Sequence, residues 1–136
     1  DIEQSRDIIK ILQQQYIDNG IGRWAVLLKE SNQFIGWAGL KLIRNVNDRL
    51  EFYELGYRLI TKYWGKGYAF EASKAILDYG FKEMNIEVIC AQTSSENKKS
   101  QHLLLKLEFT YMNTFEYDGG YDQWYEIRNP QLAKGD

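Results

Sequence analysis

With 136 residues, 44% of them hydrophobic and 15% aromatic, the chain is sized for one domain burying roughly two-thirds of its unfolded surface, which argues against disorder. A formal charge of −2 argues against a basic nucleic-acid-binding face, and no apolar run approaches membrane-spanning length. Cys90 is the only cysteine and no signal-peptide pattern opens the chain, so an internal disulfide is excluded and a reducing cytoplasm is expected.

In chain order, Ile8, Ile9, Ile11, Leu12 and Tyr16 recur at helical spacing against Asp7, Lys10 and Gln13, and predict a helix over 5–16. Asn19-Gly20 supplies its stop. Strands are predicted over 24–29, 34–43 and 51–60, joined by a turn at Ser31-Asn32 and a polar loop over 45–49. Together they make an antiparallel meander.

A helix follows from about Gly67, with Ala69, Ala72, Ile76 and Tyr79 on one face and Glu71, Lys74, Asp78 and Lys82 on the other. A short apolar run, 86–91, reads as a buried strand containing Cys90. Thr93-Ser94-Ser95-Glu96 has the form of a capping box ahead of a helix that turns Leu103, Leu104 and Leu107 inward. Two aromatic-rich strands, 109–117 and 121–127, meet at Asp118-Gly119-Gly120, a hairpin turn suited to positive φ. The fold class is therefore α+β, with a mostly antiparallel sheet flanked by helices.

The stretch Lys62-Tyr63-Trp64-Gly65-Lys66-Gly67-Tyr68-Ala69 lies between the third strand and the long helix. Its glycines permit a tight turn and close approach of a ligand to the backbone. Free N–H groups and the positive dipole end at the helix start favour an anion, and a diphosphate suits them. A plain turn would use the same glycines. A Walker loop is excluded because Gly67, not Ser or Thr, follows Gly65-Lys66; the dinucleotide fingerprint fails at Phe70.

Glu54-Leu55-Gly56-Tyr57, the stretch from Tyr63 to Ala69, Asn97-x-x-Ser100 and Leu103-x-x-Lys106-Leu107-x-Phe109 together resemble the GNAT superfamily of acyl-CoA N-acyltransferases. The branch most resembled is the RimJ/RimL type, which acetylates ribosomal-protein N-termini. The resemblance implies one GNAT domain over 1–136 that uses acetyl-CoA to acetylate a primary amine, on a protein N-terminus or a small molecule, by direct attack. It implies an acyl-CoA and an amine as partners, with no nucleic acid, no membrane, and a monomer or homodimer. The family opens with a strand before its helices. Here that strand is missing, so the chain is either cut at its start or able to dispense with it.

In that frame the backbone of Gly65, Lys66, Gly67, Tyr68 and Ala69 cradles the diphosphate, and Leu59, Ile60 and Thr61 end a splayed strand that pairs with pantetheine. Glu54 is the candidate base, with a structural pairing to Lys41 or Arg58 as the alternative. Asn97 contacts the pantetheine arm, and Ser100 either hydrogen-bonds the coenzyme or protonates the departing thiolate; the bland alternative has both solvating a helix start. Many members place a tyrosine on this helix for that proton. The matching position is Leu104, so the role falls to Ser100, to water or to Tyr111.

Three departures stand out: Lys62 for Arg or Gln, Phe70 for a small hydroxyl residue, and Glu108 where a left-handed cap favours Gly. Lys98 and Lys99 either meet the 3′-phosphate or form a solvated basic turn. His102, the only histidine, is expected at the surface with no metal. The alternative to an enzyme is a non-catalytic acyl-CoA-binding or partner-binding module of the same fold.

Overall fold

The structure, a computed structural model, describes residues 9–15 and 22–133. Seven strands form one sheet: β1 (Ile9–Gln15), β2 (Gly22–Leu28), β3 (Phe34–Val46), β4 (Arg49–Leu59), β5 (Val88–Ser94), β6 (Thr110–Tyr117) and β7 (Gly120–Arg128). The spatial order is β1-β2-β3-β4-β5-β7-β6. Helix α1 (Tyr68–Lys82) joins β4 to β5, and α2 (Lys98–Lys106) joins β5 to β6. The meander from β2 to β4 is antiparallel, as the sequence predicts, and β5 lies parallel to β4.

One expectation is overturned. The helix predicted over 5–16 is, where described, the strand β1, paired antiparallel with β2 from Ile9 opposite Leu28 to Gln15 opposite Gly22. Isoleucines suit a strand as well as a helix, and β2 supplies the backbone partners that decide between them. The remainder of that helix and the Asn19-Gly20 stop lie outside the described residues.

Smaller corrections follow from turn chemistry. The loop predicted over 45–49 shrinks to Asn47-Asp48, both at positive φ (50° and 61°), so β3 and β4 run longer than expected. The capping box does not form: Thr93 and Ser94 belong to β5, and Asn97 caps α2 by accepting the Ser100 N–H at 3.1 Å. Glu71, expected on the outward face of α1, is buried in its first turn, where the dipole favours a carboxylate.

Both helices cover one face of the sheet. Ala72, Ile76 and Leu77 of α1 and Leu104 and Leu107 of α2 pack with Leu55, Leu59, Ile89 and Tyr125 in the main core. A smaller cluster of Phe52, Cys90 and Trp124 lies on the other face, with Phe52 meeting Trp124 edge-on at 4.7 Å. Cys90 is thus core, as expected, and burial first, then Glu126, pushes its thiol up to about 12.

The end of α2 bears out the left-handed cap. Glu108 sits at φ 75°, while Phe109 N–H reaches back to the Leu104 carbonyl at 3.0 Å. A non-glycine residue there costs roughly 1 kcal/mol. Glu108→Gly is expected to raise the unfolding free energy by about 0.5–1 kcal/mol in a denaturant titration, less whatever glycine returns to the unfolded chain.

Candidate active site

The site begins where β4 and β5 part. Their parallel ladder consists of Tyr53 opposite Ile89 and Glu54 opposite Cys90. Beyond it β4 continues to Leu59 against β3, and β5 continues to Ser94 against β7. Hydrogen-bond phase shows what the parting exposes. Ile60 N–H donates to the Ile35 carbonyl at 2.8 Å, which in this register commits the even-numbered residues of β4 to β3. Leu55, Tyr57 and Leu59 therefore turn their backbone groups toward β5. By the same logic, Asn129 N–H on the Glu87 carbonyl turns Gln92 and Ser94 toward β4. Two strand edges thus face each other across a wedge, and such groups need partners.

The wedge is part of a cleft of about 860 Å³ that runs up to the glycine turn. There Gly65 and Gly67 have φ of 75° and 84°, and no other group lies within 4 Å of where a Cβ would stand. Gly67 is the N-cap of α1 and offers no side-chain cap. The Glu71 N–H makes a helical bond to the Gly67 carbonyl at 3.1 Å, so those of Tyr68, Ala69 and Phe70 stand at the open helix end. These residues fit a coenzyme A molecule: the helix end suits its diphosphate and the strand edges suit its amides.

The expected site residues divide. Glu54, Leu59, Gly65, Gly67, Ala69, Asn97 and Ser100 line the cleft; Ile60, Thr61, Lys66 and Tyr68 do not. Ile60 has spent its N–H on Ile35, and the Thr61 carbonyl accepts the Trp64 N–H in a short 3₁₀ turn. Tyr68 tilts against Tyr63, with ring centroids 6.4 Å apart. Tyr111 is not at the cleft either; its hydroxyl bonds Thr114 Oγ1 at 2.6 Å. Asn97 spends its carbonyl oxygen on the helix cap, which leaves its amide for a ligand.

Glu54 stands at the apex of the wedge, on the face away from the helices. Burial first raises its pKa; Lys41, opposite on β3, opposes the rise and Asp122 on β7 adds to it. The Asp122 carboxylate is itself held by Gln92 Nε2 at 2.7 Å. On the helix face, Tyr57 and Ser100 oxygens lie 3.3 Å apart. Trp64 Nε1 donates to the Leu59 carbonyl at 2.9 Å, tying the glycine turn to the strand end. Lys99 lies over the Trp64 ring and Lys106 over Phe70, at 5.7 and 4.7 Å from the centroids. His102 is exposed and also lines the cleft.

Tyr57, Trp64, Gln92 and Asp122 were not singled out from the sequence. The first two lie within the motifs quoted above, but their side-chain partners come from distant segments or from a local turn. Among the described residues, no cluster of His, Cys, Asp or Glu could hold a metal. No helix among them is long and apolar enough to cross a membrane.

A parted pair of parallel strands beneath a glycine turn and an open helix end suits a coenzyme A molecule, and the comparisons give the family. The chain belongs to the GNAT acetyltransferase domain family, whose profile matches residues 1–110. An uncharacterized N-acetyltransferase, p20, of Bacillus licheniformis is 36% identical over 109 residues, covering 80% of this chain and 60% of the relative. The spermidine N(1)-acetyltransferase of Escherichia coli K12 is 33% identical over 90 residues, 63% of this chain and 47% of that one. A GNAT-family acetyltransferase crystal structure from Bacillus anthracis superposes with a TM-score of 0.66 at 28% identity, covering 79% of this chain and 66% of the other. The chain therefore spans 60% of the length of the first of these relatives.

Proposed function

We propose that the chain is an acetyl-CoA-dependent N-acetyltransferase of the RimJ/RimL type, working as one domain over 1–136. Its acceptor is a primary amine, on a protein N-terminus or a small molecule. The observation that carries this is the parting of β4 and β5 immediately after Glu54 and Cys90, which turns the backbone groups of Tyr57 and Gln92 into the gap.

Acetyl-CoA, when bound, supplies an acetyl group activated as a thioester. The N–H groups at the start of α1 hold the diphosphate. The edges at Tyr57 and Leu59 hold the pantetheine arm and present an N–H to the thioester carbonyl, where negative charge develops. Asn97 and Ser100 flank the arm from α2. Glu54 takes a proton from the ammonium so that the free amine can attack. The wedge opens onto both faces of the sheet, so donor and acceptor can enter from opposite sides. A cytoplasmic setting is supported by the single, buried, unpaired thiol.

The test is a screen of amines and N-terminal peptides with acetyl-CoA, following release of free thiol. Turnover with at least one acceptor is expected. Tight coenzyme binding with no turnover across both acceptor classes would favour the non-catalytic binding module instead.

A further inference from the structure

We propose that Tyr57 is a catalytic residue, the acid that protonates the departing coenzyme thiolate, with Ser100 holding its phenol in place. The inference rests on the acetyl-transfer reading above and assigns the step which that reading leaves open.

Leu104, where a helical tyrosine would stand, is an aliphatic side chain buried in the main core. No phenol can come from that position. The described phenols that line the cleft are Tyr57, Tyr63 and Tyr117. Tyr63 is buried at the glycine turn, with Lys62 over its ring at 5.1 Å. Tyr117 lies on β6, at the hairpin end of the sheet. Tyr57 alone stands on the open edge of the wedge, with its hydroxyl 3.3 Å from Ser100 Oγ.

Tyr57 also stands across the sheet from Glu54. Three residue steps separate the two along β4, about 10 Å. Odd and even positions put their side chains on opposite faces of the sheet. A thioester lying in the wedge therefore has the base on one side and the phenol on the other. The helix face, which carries Tyr57, also carries Asn97 and Ser100 on α2 and continues to the glycine turn.

A phenol is also the better acid of the hydrogen-bonded pair. Its ordinary pKa is near 10, close to that of an alkyl thiol, whereas an aliphatic hydroxyl is a far weaker acid. The serine hydroxyl is suited to the other role, donating to the phenolic oxygen as that oxygen becomes negative.

Glu54 accepts one proton from the ammonium, and nitrogen bonds to the carbonyl carbon. As the C–S bond breaks, its electron pair goes to sulfur and Tyr57 gives sulfur its proton. The second nitrogen proton, released as the amide forms, passes through water to restore the phenol. One proton is released per turnover.

Two readouts separate chemistry from shape. The first is binding: affinities for coenzyme A and for desulfo-coenzyme A, which lacks the thiol, are compared by calorimetry in the wild type and in Tyr57→Phe. Loss of the hydroxyl is expected to weaken coenzyme A about fivefold and leave desulfo-coenzyme A unchanged. The second is kinetic: Tyr57→Phe is expected to lower kcat about 10²-fold while KM for acetyl-CoA holds. Adding Ser100→Ala to that variant should lower kcat little further, because the serine acts on this step through the phenol, whereas any contact of Ser100 with the pantetheine arm would be read in KM. Equal weakening of both coenzymes, or a kcat within threefold of wild type, would overturn the assignment. A wild-type protein that binds neither coenzyme would overturn the acetyl-transfer reading and this inference with it.

Discussion

Glu54→Gln is expected to lower kcat/KM for acetyl transfer by about 10²–10⁴-fold near neutral pH, the usual share of a general base. The amide keeps the shape of the side chain and loses its proton affinity. Raising the pH is expected to restore part of the loss, because more of the acceptor is then already a free amine. Coenzyme affinity should stay close to wild type, since Glu54 stands on the face opposite α2.

The environment of the carboxylate sets the pH dependence. Burial, opposed by Lys41 and assisted by Asp122, raises the pKa of Glu54, so the acid limb of kcat/KM lies above the ordinary carboxylate range. Stability responds in the matching sense. A folded pKa above the unfolded one means that the contribution of Glu54 is fully present below the unfolded value and is lost as pH rises through the folded one. Glu54→Gln removes that dependence, so the variant should be no less stable at neutral pH. A wild-type rate for Glu54→Gln at pH 7 would make the glutamate structural and leave catalysis to positioning alone.

Gly67→Val is the second large effect. Gly67 is the N-cap of α1 at φ 84° and ψ 1°, with open space where a Cβ would stand. A valine side chain would meet no other protein group within 4 Å of its Cβ, and would stand where the diphosphate must approach the backbone. Losing one charge-assisted hydrogen bond costs about 1.5–3 kcal/mol, so acetyl-CoA should bind about 10–100-fold more weakly. Positive φ is strained for valine, so Gly67→Ala serves as the milder companion, with folding of both checked by thermal melts. Unchanged calorimetric affinity in a folded Gly67→Val protein would remove the glycine turn from the coenzyme site.

The central part of this fold was legible because its signals are local. Two glycines between a strand and an amphipathic helix, and Asp118-Gly119 at φ 49° and 83° in the β6–β7 hairpin, dictate backbone geometry from their own chemistry. The β1 segment was not legible for the opposite reason. Ile9 to Leu12 fits two periodicities, and the choice between them is made by β2, which a local window does not contain.

The same division runs through the site. Gly65, Gly67 and Ala69 were found by motif, and Glu54 by its place in a strand. The Tyr57–Ser100 contact joins residues 43 apart, and Gln92 and Asp122 meet across 30. The parting of β4 from β5 is a property of two strands together, expected only from the resemblance and one pair-step from Glu54 rather than at Leu59. Ile60 and Thr61 were carried over as a segment, yet alternating backbone phase assigns the wedge to Tyr57 and Leu59 instead.

The most direct test follows the acetyl group itself. Isotopically labelled acetyl-CoA is incubated with the protein and the best acceptor from the amine screen, and the label is located by mass spectrometry alongside free thiol. The account predicts label on the acceptor nitrogen in equal amount to thiol released, with none retained on the protein. Label lodged on the protein as an acyl-enzyme, or thiol released without acceptor acetylation, would contradict direct transfer in the wedge.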